Sequence, residues 1–215
     1  MPSSPEIKID PKKKTLHASE AGSERVQNLR REYWTTIGEV KLSDLVFIDE
    51  TGVNLAMTRR YARAKRGKRA YNSCPFDRGR NVTLIGAITC SEVLASFSFS
   101  GWTNQETFLV YIRQILAPQL WPGACVVMDN LPAHKATEVR EALAAVGARV
   151  IFLSPYSPDF NPIENCWSKV KEFLRSREAR TPEELDTAIT EALENVTEKD
   201  LISWFTHCCY YVSPN

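Results

Sequence analysis

Residues 81–100, NVTLIGAITCSEVLASFSFS, decide the fold of this chain. Two β-rich runs, 81–90 and 93–100, are separated only by Ser91-Glu92, which predicts an antiparallel hairpin. Upstream of it, the apolar run Leu45-Val46-Phe47-Ile48 predicts a strand over 44–49, buried on both faces. Downstream, helical spacing of Phe108, Tyr111, Ile112 and Ile115 predicts a helix over 104–116, followed by a strand at 124–129. A helix at about 135–146, closed by Gly147, and a strand at 149–153 (RVIFL) come next. A hairpin feeding β-α-β-α-β-α predicts an α/β protein with a mixed five-stranded sheet flanked by helices.

The flanks are helical or polar. Residues 1–19 carry three early prolines and Lys12-Lys13-Lys14 without periodicity, and read as a tail or linker. From Ser23, a candidate N-cap, the residues Val26, Leu29, Tyr33, Trp34, Ile37 and Val40 recur at helical spacing. Beyond 149–153, one helix runs from Pro162 to about Arg177 with Ile163, Cys166, Trp167, Val170, Phe173 and Leu174 as its buried stripe. Thr181-Pro182-Glu183-Glu184 is a capping box that starts another, ending near Asn195. A last helical stretch covers 200–211.

The 215 residues suffice for one well-buried domain with an appendage. The start has no apolar signal core and no stretch is long enough to span a bilayer, so a cytoplasmic protein without membrane contact is expected. Six cysteines show no zinc spacing, and Cys125 and Cys166 fall in apolar segments that suit reduced core thiols. Nucleotide-loop and nucleophile-elbow motifs are absent, and three scattered histidines make no histidine-rich metal site.

Three carboxylates carry the candidate chemistry. Asp49 follows Leu45-Val46-Phe47-Ile48, Asp129 follows Cys125-Val126-Val127-Met128, and Glu164 opens the helix after Asn161-Pro162. Polar sites in such sheets form at the carboxyl ends of strands, where both aspartates are expected. Two acids at strand ends and one on a helix can converge on a pair of divalent metals, a pair that cuts and joins phosphodiesters. Each acid also has an ordinary explanation. Asp49 and Asp129 suit turns, and Asn161 with Glu164 resembles a capping box. Glu50 is the rival to Asp49, while Asn130, His134 and Asn161 are secondary candidates.

Net charge is only +1, but residues 59–69 (RRYARAKRGKR) hold seven Arg or Lys among eleven. Arg59, Arg60, Arg63, Lys65, Arg66, Lys68 and Arg69 read as a phosphate-gripping loop with salt-sensitive binding. Glu164, Ser168, Lys171 and Arg175 follow one flank of their helix, so Lys171 and Arg175 join the candidate phosphate contacts.

Taken together, LVFIDETG (45–52), the basic run, VVMDNLPAHK (126–135) and LSPYSPDFNPIENCWSKVKEFLR (153–175) resemble the DDE transposases of the insertion-sequence-630 and mariner superfamily. The thirty-four residues between Asp129 and Glu164 match the spacing typical of that superfamily. The resemblance implies an RNase-H-like catalytic core over 41–178, a tail and linker helix over 1–40, and a C-terminal helical extension over 179–215. It implies Asp49, Asp129 and Glu164 as metal ligands for Mg²⁺ or Mn²⁺, two ions in all. The implied reaction is strand cleavage at transposon ends and transfer of the 3′-hydroxyl into target DNA, in a homodimer on nucleoid DNA.

Members of that superfamily carry an N-terminal helix-turn-helix region that reads the terminal repeats. About forty residues precede the first strand here, so a separately encoded helix-turn-helix partner is expected to supply end recognition. Two alternatives stay open: an RNase-H-fold nuclease without transposition, and a truncated DNA-binding or transposase-binding remnant acting as an inhibitor.

Overall fold

Five strands make one mixed sheet in the computed structural model, which describes residues 19–210. They are β1 (Leu45–Val53), β2 (Val82–Ile88), β3 (Val93–Ser100), β4 (Cys125–Met128) and β5 (Arg149–Phe152), in the order β3-β2-β1-β4-β5. The expected hairpin forms as β2 and β3, paired antiparallel. β1 is antiparallel to β2 and parallel to β4, and β5 is parallel to β4.

One expectation needs correction. Asp49 does not end its strand, because β2 supplies antiparallel partners from Phe47↔Ile88 through Val53↔Val82. The parallel ladder with β4 stops earlier, at Phe47↔Val127. Asp49 therefore stands just past the carboxyl end of the parallel pairing, although its own strand continues. Asp129 stands at the matching position directly after β4.

Strand alternation divides the core into two layers. Leu45, Phe47, Cys125 and Val127 face one layer with Ile163, Trp167, Val170 and Leu174. These last four belong to α4 (Ile163–Arg177), which shares that layer with α1 (Glu24–Ile37), α5 (Pro182–Glu194) and α6 (Glu198–His207). Val46, Ile48, Val126 and Met128 face the opposite layer, against α2 (Gln105–Val110) and α3 (Thr137–Ala145). Each fully buried Phe, Leu, Ile or Val contributes roughly 1.5–3 kcal/mol of burial. By the same alternation Asp49 and Asp129 follow Phe47 and Val127 toward α4, whereas Glu50 follows Ile48 to the other side.

Local signals explain most boundaries. Ser23 caps α1 by accepting from the Val26 N–H. Thr181 and Glu184 close the expected capping box on α5, and Thr197 with Asp200 closes a second, so α6 begins at Glu198. The helix expected over 104–116 is α-helical only to Val110 and then widens into a π-helical segment, Tyr111–Leu116. All six cysteines are free, with Cys125, Cys166 and Cys208 buried. The expected tail with Lys12-Lys13-Lys14 lies outside the described residues except for Ser19, which opens a 3-10 turn, Ser19–Gly22. Residue 211 of the last expected helical stretch also lies outside them.

Candidate active site

Asp49, Asp129 and Glu164 line one cavity of about 360 Å³ together with Asn130, Ser154 and Asn161. Three elements deliver the acids: the middle of β1, the residue after β4, and the first turn of α4. Glu164 makes no cap. The N-cap of α4 is Pro162, without a side-chain hydrogen bond, so the Asn161–Glu164 capping box does not form. Glu164 is exposed, and Asn161 is buried with its Oδ1 lacking a hydrogen-bond partner among the described residues.

Trp167 Nε1 donates to Asp49 Oδ2 at 3.2 Å. The Asp49 carboxyl is nonetheless pushed up to about 7, first by burial and then by Glu164, with Asp129 adding to it. Hydrogen bonds from the Glu50 N–H and from Trp167 pull the other way. Asp49 thus meets the repulsion of both other acids across a shared space.

Asp129 is held differently. Its Oδ1 accepts from the Leu131 N–H at 3.0 Å and lies 2.6 Å from His134 Nδ1. The latter is an ion contact without the alignment of a hydrogen bond. Burial opposes the charge on Asp129, but His134, Leu131 and Lys135 bring the carboxyl below its usual range. His134 is itself buried, packs against the Phe108 ring with centroids 4.2 Å apart, and reaches Glu50 Oε1 at 3.4 Å through Nε2. Burial disfavours its protonation, yet the Asp129 and Glu50 carboxylates overcome this and raise it to about 9. Glu50, the rival acid, is engaged with His134 and does not line the cavity. Asn130 donates its amide to the Leu153 carbonyl and ties the ends of β4 and β5 together.

Among the described residues, no three His, Cys, Asp or Glu side chains are drawn close enough to hold a metal ion as they stand. The donor set still fits a hard divalent cation: three carboxylates and an unpartnered amide oxygen, Asn161 Oδ1, border one cavity. A cation among them would relieve the repulsion that Asp49 registers.

The basic run lies on a long exposed strap between β1 and β2. Arg59, Arg63, Lys65, Arg66, Lys68 and Arg69 are exposed there and line neither the carboxylate cavity nor the larger one beside it. Arg60 does border the larger cavity, with Lys171 and Arg175 of α4. Arg180 pins the root of the strap by donating to the Leu55 and Met57 carbonyls at 3.0 and 3.1 Å and to Thr58 Oγ1 at 3.1 Å. Glu178 accepts from Asn72 Nδ2 at 3.0 Å.

Sequence reasoning missed several supporting residues. Trp167 reads only as a member of the buried stripe. Arg30 of α1 donates to Ser157 Oγ at 2.7 Å, pairs with Asp159 at 2.6 Å, and lies 3.8 Å over the Phe160 ring. It thereby braces the loop that leads into Glu164. Neither role leaves a local pattern.

A family model described as DDE superfamily endonuclease matches residues 44–186. No curated protein matches the chain. Among solved structures, a Mos1 transposase paired-end complex with the left transposon end superposes with a TM-score of 0.76 at 17% identity. That alignment covers 94% of this chain and 63% of that one. A Mos1 mariner paired-end complex with Mn gives 0.72 at 17% identity, over 94% and 63% of the two chains. The catalytic domain of Mos1 mariner transposase gives 0.62 at 16% identity, over 90% of each chain. The chain thus spans about 63% of the length of the Mos1 transposase in the first of these structures. At these identities the likeness is one of fold, the RNase-H-like mixed sheet expected above.

Proposed function

Because the chain belongs to the DDE superfamily of endonucleases, we propose that it is a transposase catalytic domain that cleaves DNA at element ends and transfers the 3′-hydroxyl into target DNA. The observation that carries this reading is the convergence of Asp49, Asp129 and Glu164 on one cavity, the two aspartates at matching positions on neighbouring parallel strands. These residues would hold Mg²⁺ or Mn²⁺, two ions in the proposal, and the ions would supply activation of the attacking oxygen and stabilisation of the leaving oxygen. The Mn-containing complex of Mos1 transposase supports a divalent requirement.

The chain's own groups do the rest. Trp167 fixes one oxygen of Asp49. His134 restrains Asp129 from beneath. Arg60, Lys171, Arg175 and the strap cations Arg59, Arg63, Lys65, Arg66, Lys68 and Arg69 take DNA phosphates, which position the strand without reading its sequence. Two copies acting on paired ends, and a helix-turn-helix region that reads the end sequence, belong to the same proposal; the paired-end complex of Mos1 transposase supports the pairing of ends. Among the described residues no helix is long and apolar enough to cross a membrane, and the proposed place of action is nucleoid DNA in the cytoplasm.

Purified protein with Mn²⁺ should nick and join labelled DNA. Asp129→Asn should abolish both while DNA retention stays within about twofold, since one carboxylate adds no phosphate contact. Equal nicking by wild type and variant would refute the assignment.

A further inference from the structure

A second and larger cavity, about 670 Å³, opens between the root of the strap and α4. Arg60, Arg78, Lys171 and Arg175 line it alongside the apolar Met57 and Phe76. None of the four cations forms an ion pair with a described carboxylate. Phe76 is 105% exposed and Tyr61, on the same strap, 85%. We infer that this cavity receives one unpaired nucleotide of a DNA strand, its phosphate on the cations and its base against Phe76.

The charges argue for an anion. Lys171 is held below its usual range chiefly by burial; the Glu164 and Asp49 carboxylates pull it back up, and Arg175 and Arg60 add repulsion. Arg175 is also lowered by burial and by Arg60, against the pull of Glu172. Arg60, Lys171 and Arg175 repel one another in one concavity without a close ion pair, and a bound phosphate relieves that repulsion.

The shape and lining argue for an unpaired base. A duplex backbone needs only an open cationic surface, whereas this site is concave and partly apolar, with an exposed ring at its lining. Cations interleaved with exposed aromatic rings are the chemistry of single-strand binding, where each base offers a face for stacking. Enzymes that act on strands commonly hold a nucleotide out of the helix in such a pocket.

Position links the cavity to the carboxylates. Lys171 and Arg175 follow Glu164 along one flank of α4, about 10 and about 16 Å further along the helix axis. A strand with one phosphate at the carboxylates can therefore set a nearby nucleotide in the cavity. A free mononucleotide would satisfy the same chemistry, but the cationic strap beyond the cavity favours a continuous strand. The inference rests on the DNA-binding part of the proposed function and not on catalysis.

The test uses the full chain without metal and fluorescence anisotropy on three probes: a blunt duplex, the same duplex with a short single-stranded overhang, and that overhang made abasic. Wild type should bind the overhang about fivefold or more tightly than the blunt duplex, the gain expected from stacking one base. The abasic overhang and Phe76→Ala should each lose the gain, while Phe76→Trp keeps it. Phe76 buries nothing, so its removal leaves folding intact. Lys171→Gln should flatten the salt dependence with all three probes.

Wild type that binds blunt duplex without any overhang gain overturns the pocket alone. Wild type that binds no DNA overturns the DNA reading with it. An overhang gain that survives Phe76→Ala, while that variant loses self-association, gives the ring to a second copy of the chain and overturns the pocket. Equal competition by a free deoxynucleoside monophosphate reassigns the cavity to mononucleotides and overturns the strand.

Discussion

Trp167 holds Asp49 from the helical layer: its indole N–H donates to Asp49 Oδ2 at 3.2 Å. The indole can lie there because residue 86, paired with Asp49 across β1 and β2, is glycine. A Cβ at Gly86 would stand 2.5 Å from Trp167 Cη2. The residue that fills the core and the residue that positions the acid are thus the same side chain.

Gly86→Ala should displace the indole and cost about 1–3 kcal/mol, the range for overpacking a core. Trp167→Phe keeps most of the volume and loses the hydrogen bond, for about 1–3 kcal/mol. Urea unfolding measures both. Full stability in Gly86→Ala would show that the indole does not rest on that glycine.

His134→Ala should destabilise the protein by about 2–3 kcal/mol, less than a fully buried pair would lose because both carboxylates keep some solvent. The substitution leaves Asp129 and Glu50 without the buried cation that sits between them, and empties space beside Phe108. His134→Gln, which keeps polar contact with one acid, should recover part of the loss. Equilibrium denaturation decides; a loss under about 1 kcal/mol, ordinary for a surface change, would contradict a buried pairing role.

Asp200 predicts a pH dependence. Its carboxyl is lowered to about 2, first by Lys169 at 2.5 Å and then by Thr197 in the capping box. A group lowered on folding contributes stability that is present above its unfolded value and lost as pH falls through its folded one. Wild type should therefore exceed Asp200→Asn by about 0.5–1 kcal/mol at neutral pH, the worth of a solvent-screened ion pair, a gap that closes as pH falls from about 4 toward 2. Thermal unfolding across that window reads it, and a constant gap would place the stabilisation elsewhere.

Arg180→Gln should loosen the strap without unfolding the core, because Arg180 donates to three acceptors at its root, Leu55 O, Met57 O and Thr58 Oγ1. Trypsin should cut within 59–69 several-fold faster in the variant under native conditions, as expected when local opening becomes easier. An unchanged rate would mean that the root is held by other contacts.

What was legible in the sequence was local. The hairpin at 81–100, the capping box at Thr181 and the buried stripe of α4 are written in neighbouring residues. The strand reach of β1 was not, because its length beyond Asp49 depends on pairing with β2 rather than on its own apolar run. The π-helical turn after Val110 leaves no pattern distinct from helical spacing. That Asp49, Asp129 and Glu164 border one cavity is hinted at by their order and surrounding segments, and alternation along β1 separates Asp49 from Glu50 once the layers are known. Their supports are contacts across the fold: Arg30 reaches Ser157, and Arg180 reaches the strap.

The proposed function needs Asp49, Asp129 and Glu164 to form one divalent-cation site while Glu50 stays with His134, outside their cavity. Its most direct test is a Mn²⁺ titration followed by the electron paramagnetic resonance signal of the free ion. Wild type and Glu50→Gln should deplete the free signal. Asp49→Asn, Asp129→Asn and Glu164→Gln should each weaken that depletion by about tenfold or more, the usual effect of losing a group that supports the ion. Depletion that is unchanged in the three variants, or lost in Glu50→Gln alone, would contradict the account.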